Sequence, residues 1–213
     1  MPTPFVLASA SPRRLEILRA LGLEPEVAAV DIDESLGPGE SPASAALRLA
    51  RAKAAAAAAR LGGARRLVIA ADTLVALGDE ALGKPRDQGE ALAMIARLQG
   101  RTHEVHTGLA LVDLPSARLA SGLSTSRVCF AAMSSSETAW YAATGEGRDK
   151  AGAYAVQGLA SYFVTAIDGS YSNVVGLPVD LLYRLALELG HDLKLAHPVL
   201  GTGLDLPPPR VRS

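Results

Sequence analysis

A chain of 213 residues can bury a sizeable apolar core, and its length ordinarily makes one domain or a two-lobed unit. Its 21 Lys and Arg nearly cancel its 22 Asp and Glu, so the net charge of −1 offers no global attraction to nucleic acid or an anionic membrane, and any polyanion site must be local. One cysteine, Cys129, excludes an internal disulfide and a cysteine-rich zinc site; no apolar run is long enough to span a membrane and no signal pattern opens the chain, so a soluble cytoplasmic protein is expected.

The apolar run Phe5 to Ala8 predicts a short buried strand. Ser11 and Pro12 then supply a helix cap and a first-turn proline, and the helix runs through Leu15, Leu18 and Leu21 to Gly22. Arg13 and Arg14 fall in its first turn. Cations there oppose the helix dipole, so helix stability does not explain them. Either the pair is solvated, or an anion, best a phosphate, lies between the guanidinium groups and the free N–H groups.

Glu26 to Val30 predicts a strand that leads into the acidic run Asp31-Ile32-Asp33-Glu34. Ser41-Pro42 caps a long helix to about Leu61, closed by Gly62-Gly63. Its many alanines read as composition bias with high helix propensity. Leu67 to Leu77 is apolar except at Asp72 and Thr73, as expected for a central strand covered on both faces. Gly78-Asp79 turns the chain towards Gly83-Lys84-Pro85. Asp87 with Glu90 opens a helix carrying Leu92, Ile95 and Leu98, closed by Gly100.

Strand patterns follow at about 102–112 and 118–132. Ser134 with Glu137 caps a helix through Trp140 and Tyr141 that ends at Gly145. Residues 149–176 read as site-lining loops around a strand from Ser161 to Ile167, and Pro178 starts a last helix that ends at Gly190. The expected organisation is one α/β domain over residues 1–196 and a mobile, Pro- and Gly-rich tail over 197–213.

Asp72 is the sharpest oddity, because a carboxylate inside an apolar strand is costly unless paired, hydrogen-bonded or bound to a metal. It reads either as a structural acceptor of backbone N–H groups or as a metal ligand or base that activates water. The acidic run is a solvated loop unless it faces Asp72 across a cleft, where both carboxylates could share a hard divalent cation with phosphates. Lys53 alone reads as a surface lysine. Lys84 stands between a glycine that lets the backbone approach a ligand and a stiffening proline. His103 and His106, three apart in a strand, face opposite sides and cannot share an ion. His191 and His197 are expected in solvent. The sequence has neither a Gly-x-x-x-x-Gly-Lys-Ser/Thr loop nor a Gly-x-Gly-x-x-Gly fingerprint, which argues against the P-loop and Rossmann classes.

Seven segments occur in order: Ala8-Ser9-Ala10-Ser11-Pro12-Arg13-Arg14, Ala71-Asp72-Thr73, Gly83-Lys84-Pro85, His106-Thr107-Gly108, Asp149-Lys150-Ala151-Gly152-Ala153-Tyr154, Gln157-Gly158 and Asn173-Val174-Val175-Gly176-Leu177-Pro178. Together they resemble the Maf family of house-cleaning nucleoside triphosphate pyrophosphatases, over roughly residues 5 to 190. The resemblance implies an elongated α/β fold with a mixed sheet and two lobes around a central cleft, similar to the inosine triphosphate pyrophosphatases. It implies cleavage between the α and β phosphates, to a nucleoside monophosphate and pyrophosphate, with a divalent metal cation (Mg²⁺ or Mn²⁺).

On the same resemblance, Asp72 is the proton acceptor and Glu34 its acidic partner, the two also being the metal ligands. Lys53 and Lys84 are catalytic cations, and Ser9, Arg13 and Arg14 bind phosphate. Arg13, Thr73 and Gln157 match the branch that acts on dTTP and UTP, where a Gln amide suits the O4 and N3–H edge of uracil or thymine. A nucleoside triphosphate is thus the expected partner, neither nucleic acid nor membrane is, and a homodimer is admitted by the resemblance. The competing expectations are a pyrophosphatase for modified purine triphosphates and a non-enzymatic nucleotide-binding regulator of septum formation.

Overall fold

The computed structural model describes residues 4–196; the tail expected from residue 197 onward, with His197, lies outside the described residues. Seven strands form one mixed sheet in the order β2-β1-β3-β5-β6-β7, with β4 paired to β3. The strands are β1 (Phe5–Leu7), β2 (Glu26–Val27), β3 (Arg66–Leu77), β4 (Glu80–Leu82), β5 (Thr102–Leu114), β6 (Arg118–Phe130) and β7 (Val164–Asp168). Between them lie α1 (Pro12–Ala20), α2 (Pro42–Leu61), α3 (Gln88–Leu98), α4 (Ser135–Thr144), α5 (Tyr171–Val175) and α6 (Val179–Glu188). Only β1 with β2 and β1 with β3 are parallel; the other pairs are antiparallel.

Two features of this topology make the cleft. Strand β1 pairs with β3 only at Leu67, Val68 and Ile69, and the chain then leaves for α1. Strand β4 rejoins the same edge of β3 only at Val75, Ala76 and Leu77. Residues 70–74 of β3 therefore face a gap on that edge, beyond the carboxyl end of β1, the place where open α/β sheets bind ligands.

Around the gap the apolar core divides into two lobes. In one, α1 and α6 cover one face of the sheet through Leu18, Leu181, Leu182 and Leu185 against Ile69, Leu109 and Leu111. There α2 covers the other face through Ala50, Ala54 and Ala57 against Val68, Ala70 and Ala110. In the second lobe, α3 and α4 pack on the far ends of β3, β5 and β6 through Ile95, Leu98, Tyr141, Val105, Val128 and Phe130.

The caps follow the sequence closely. Ser41 Oγ accepts from Ser44 N at 3.2 Å, and Ser134 with Glu137 makes a complete capping box. Asp87 caps α3 through Glu90 N at 2.8 Å, but Glu90 reaches back to Arg86 N at 2.6 Å rather than to Asp87, so that box stays open.

Several expectations need correction. Strand β2 is two residues long and stops well short of Val30. Strand β4 and helix α5 were not expected; each is too short to show a period. Residues 159–162 form a 3₁₀ turn, so β7 begins at Val164 rather than at Ser161. Leu92 is exposed, and α3 packs instead through Ala91, Met94, Ile95 and Leu98. His191 is not in solvent: its Nε2 lies 2.8 Å from Asp113 Oδ1, with little of either side chain exposed.

The alanines of α2 also carry more than composition. Ala45, Ala46 and Ala50 are fully buried, and a Cβ on Gly108 of β5 would collide with the backbone carbonyl of Ala46. The helix lies directly on the sheet because small residues meet there on both sides.

Candidate active site

The cleft encloses about 750 Å³ and is bordered by the β1–α1 turn, β3, the Gly83-Lys84 segment, the loop 149–157 and the end of α5. Lys53, Asp72, Thr73 and Arg14 reach it from helices and strands, and Glu34, Lys84, Lys150 and Gln157 from the segments between them.

Asp72 lies opposite Gly108 in the β3–β5 ladder, and Thr73 lies opposite Thr107. Neighbours in a strand point to opposite faces. Asp72 accordingly turns to α2, where Lys53 Nζ donates to its Oδ1 at 2.5 Å. Thr73 turns to α1, where its Oγ1 accepts from Arg14 Nη2 at 3.1 Å and stands 2.9 Å from Thr107 Oγ1. Both members of the Lys53–Asp72 pair are nine-tenths buried. Lys53, which alone reads as a surface lysine, is therefore an interior cation that the close seat of α2 delivers to the sheet.

Glu34 comes from the loop after β2. Its carboxylate meets Lys53 Nζ at 2.6 Å and remains more than half exposed. Burial on its own would raise the Glu34 carboxyl, but the hydrogen bond and charge of Lys53, with Lys84 and Arg14 farther off, hold it below the usual range. Asp33 turns away and accepts from Ser35 N at 2.9 Å. Of the acidic run, Glu34 thus belongs to the cleft and Asp33 shapes its own loop.

The two arginines of α1 separate in the same way. Arg14 is buried, its Nε donating to Gly176 O at 2.8 Å and its Nη1 to Ser9 Oγ at 2.9 Å. Burial lowers the Arg14 pKa, with Asp72 opposing. Arg14 is thus neither solvated nor free, and it pins the β1–α1 turn to β3 and to the end of α5. Arg13, partly exposed on the rim, pairs with Asp149 Oδ2 at 3.1 Å across the mouth of the cleft. Ser11 makes no side-chain cap, and its own N–H donates to Ser9 Oγ at 3.2 Å.

Lys84 is exposed and lines the cleft with Gly83. Lys150, a cation the reading of single residues passed over, lines it too; its Nζ donates to Glu146 O at 2.8 Å and to Asp149 Oδ1 at 2.6 Å. Its signal in the sequence is its place in the Asp149–Tyr154 segment, where the structure gives Gly152 and Ala153 left-handed backbone angles (φ 70° and 59°). Gln157 is exposed on the cleft wall between the buried Val156 and the half-exposed Gly158.

The histidines of β5 go to separate partners. His103 Nε2 lies 2.8 Å from Tyr154 Oη, and His106 Nδ1 lies 2.9 Å from Thr125 Oγ1. Among the described residues, no group of three or more His, Cys, Asp or Glu is placed to hold a metal ion. The candidate donors for a cation are therefore two carboxylates, Asp72 and Glu34, one on each side of Lys53 Nζ. That set suits a hard ion which takes one or two carboxylates and fills its shell with phosphate oxygens and water. It does not make a closed protein cage. Among the described residues no helix is long and apolar enough to cross a membrane.

The arrangement is a buried acid–cation pair at the floor of a cleft with further cations, Arg13, Lys84 and Lys150, around it. Such a site can hold a polyphosphate and direct a water molecule at one phosphorus.

Known proteins resemble the chain in the same terms. The family model described as "Maf-like protein" matches residues 4–189. A protein of Myxococcus xanthus named dTTP/UTP pyrophosphatase is 52% identical over 191 residues, covering 88% of this chain and 95% of that one. Proteins of the same name from Geobacter sulfurreducens and Desulforamulus reducens are 51% and 48% identical, covering 82% and 84% of this chain and 91% and 93% of theirs. Among solved structures, the Ham1 protein of Staphylococcus aureus overlaps with a TM-score of 0.40 at 14% identity, over 60% of this chain and 71% of that one.

Proposed function

The chain belongs to the Maf-like family, and from that membership we propose that it is a nucleoside triphosphate pyrophosphatase acting on dTTP and UTP. Water attacks the α-phosphorus, the bond from that phosphorus to the oxygen bridging to the β-phosphorus breaks, and the products are the nucleoside monophosphate and pyrophosphate. The observation that carries the reading is the Lys53–Asp72 pair, 2.5 Å long, at the floor of a cationic cleft.

Asp72 is the group that orients the attacking water and takes its proton. An ordinary Asp, with a pKa of about 3.9, is a weak base at neutral pH. A divalent cation, held by Asp72 and Glu34 together with the phosphates, would lower the pKa of that water and spread the phosphate charge. Lys53 lies 2.5 Å from Asp72 and 2.6 Å from Glu34 and holds the two carboxylates together.

The remaining roles are assigned on the same reading. Lys84 and Arg13 meet the β and γ phosphates, and Arg13 exchanges Asp149 for phosphate oxygens as substrate enters. Ser9 and Arg14 shape the phosphate turn, with Arg14 as its pin. Gln157 reads the pyrimidine edge, donating to O4 and accepting from N3–H. Thr73, whose hydroxyl is already committed to Arg14 and Thr107, acts on the pocket through those contacts. The cytoplasm, where nucleotide pools turn over, is the setting we propose for this house-cleaning activity.

The test is product identity. Incubation of the protein with UTP and Mg²⁺ or Mn²⁺, followed by phosphorus NMR, should give UMP and pyrophosphate. UDP and inorganic phosphate would place the cut elsewhere and overturn the reading.

A further inference from the structure

The loop that carries Gln157 has an anchor that no catalytic role explains. Glu146 follows directly on Gly145, the left-handed cap of α4. Its Oε1 accepts from Leu159 N at 2.8 Å, and its Oε2 accepts from Tyr141 Oη at 2.8 Å and from Ala160 N at 3.3 Å. Tyr141, buried in α4, accepts in turn from Ala155 N at 3.1 Å. Three backbone amides around Gln157, two residues before it and two and three after it, are thus bound to one Tyr–Glu pair at the end of a capped helix.

The fit leaves no slack. A Cβ on Gly158 would strike the Glu146 carboxylate, and the Gly158 backbone, at φ −116° and ψ −143°, lies outside the regions that residues with a Cβ favour. The glycine thus suits both the backbone and the seat of the carboxylate. On the near side, Tyr154 is buried with its hydroxyl on His103. Gln157 therefore projects into the cleft from a short segment held at both ends.

We propose that Glu146 and Tyr141 are positioning residues for base selection: they fix the 155–160 segment so that the Gln157 amide meets the pyrimidine edge. This rests on the base-reading role given to Gln157. A hydrogen-bonding edge discriminates only when its donor and acceptor are held in place, because a mobile amide can turn to suit either base. The Tyr141 hydroxyl and the Glu146 carboxylate contact neither Asp72 nor Lys53, and the Glu146 carbonyl that accepts from Lys150 at 2.8 Å is kept when the side chain is changed, so loss of the pair falls on recognition rather than on the chemical step.

The experiment compares wild type, Gln157→Ala, Glu146→Gln and Tyr141→Phe on UTP, dTTP and GTP. Glu146→Gln and Tyr141→Phe should each lower the UTP-to-GTP ratio of kcat/KM by about tenfold, with KM for UTP carrying most of the change. Gln157→Ala should lower the same ratio. A ratio lost in Gln157→Ala but kept in the other two overturns the clamp. A ratio kept in Gln157→Ala overturns the base-reading role, and the clamp's purpose with it.

Amide exchange gives a readout independent of turnover. In Tyr141→Phe and in Gly158→Ala, the amides of Ala155, Leu159 and Ala160 should exchange faster while those of α4 do not. Acceleration spread equally through α4 would mean a general support of the lobe and would overturn the proposal.

Discussion

Asp72 depends on Lys53 as its buried counter-charge, while Lys53 has Glu34 as a second partner. Removing one partner of a buried pair strands the other, at a cost of about 3–5 kcal/mol where nothing replaces it. Here Glu34 remains on Lys53 when Asp72 is changed, so Asp72→Asn should fold, and circular dichroism should match wild type. Its turnover should fall at least about 100-fold, the scale of a lost general base. Normal turnover by the folded variant would remove Asp72 from the chemistry.

The arginines should divide in a second measurement. Arg13→Ala and Lys84→Ala should lower kcat/KM by more than about tenfold through lost charge-assisted contacts, with little change in Tm. Arg14→Ala should lower Tm as well, because Gly176 O, Ser9 Oγ and Thr73 Oγ1 each lose the hydrogen bond it donates. At this scale the sequence marked the odd residues and left their partners open. Asp72 is conspicuous in an apolar strand; that Lys53 is its partner depends on how α2 seats, which no local pattern encodes.

Gly108 and the alanines of α2 form a single device at the scale of elements. Gly108→Ala places a methyl group against the backbone of Ala46, which cannot swing aside as a side chain can. Overpacking of this kind costs about 1–3 kcal/mol, equivalent to a Tm lower by roughly 2–12 °C in a chain of this size. The variant should also lose activity, since displacing α2 moves Lys53 from Asp72. Gly63→Ala, where a Cβ meets nothing within 4 Å, is the control and should change stability by less than about 0.5 kcal/mol. Equal effects at both positions would show that the close seat of α2 is unimportant.

Long elements with caps were legible in advance: α2, α4 and the strands β3, β5 and β6 stand close to where period and punctuation put them. The pieces that escaped are short. Strand β4 is three residues defined by pairing to β3, and α5 is a single turn held by Ser170 and Asn173. Neither contains enough residues to show a repeat, and the cleft wall depends on both.

For the molecule as a whole, acid should be destabilising in a window set by the buried histidine. Burial lowers the His103 pKa to about 4, against about 6.5 in an unfolded chain. The unfolded state then takes up a proton at a higher pH than the folded state does. Stability is complete above about pH 6.5 and is lost as pH falls towards 4, by up to about 3 kcal/mol from this residue. His106 moves in the same direction, burial lowering it and Glu104 opposing. Urea midpoints measured between pH 7 and 4 should fall steeply in wild type and less steeply in His103→Gln. Parallel slopes would assign the acid sensitivity to other groups.

The two-lobed α/β plan with a central cleft was readable from the ordered motifs, and the strand order explains why they converge. Segments at residues 8–14, 71–73, 83–85, 149–157 and 173–176 are far apart in sequence. They meet because β1 ends early and β4 rejoins late on the same edge of β3.

Whether this cleft cuts pyrimidine triphosphates is read from kcat/KM for pyrophosphate release from dTTP, UTP, CTP, GTP, ATP and 7-methyl-GTP by the wild-type protein. Values for dTTP and UTP should exceed those for the guanine nucleotides by at least about tenfold, the scale of one mismatched buried polar edge. Equal rates across the panel, or a preference for GTP or 7-methyl-GTP, would contradict the pyrimidine assignment.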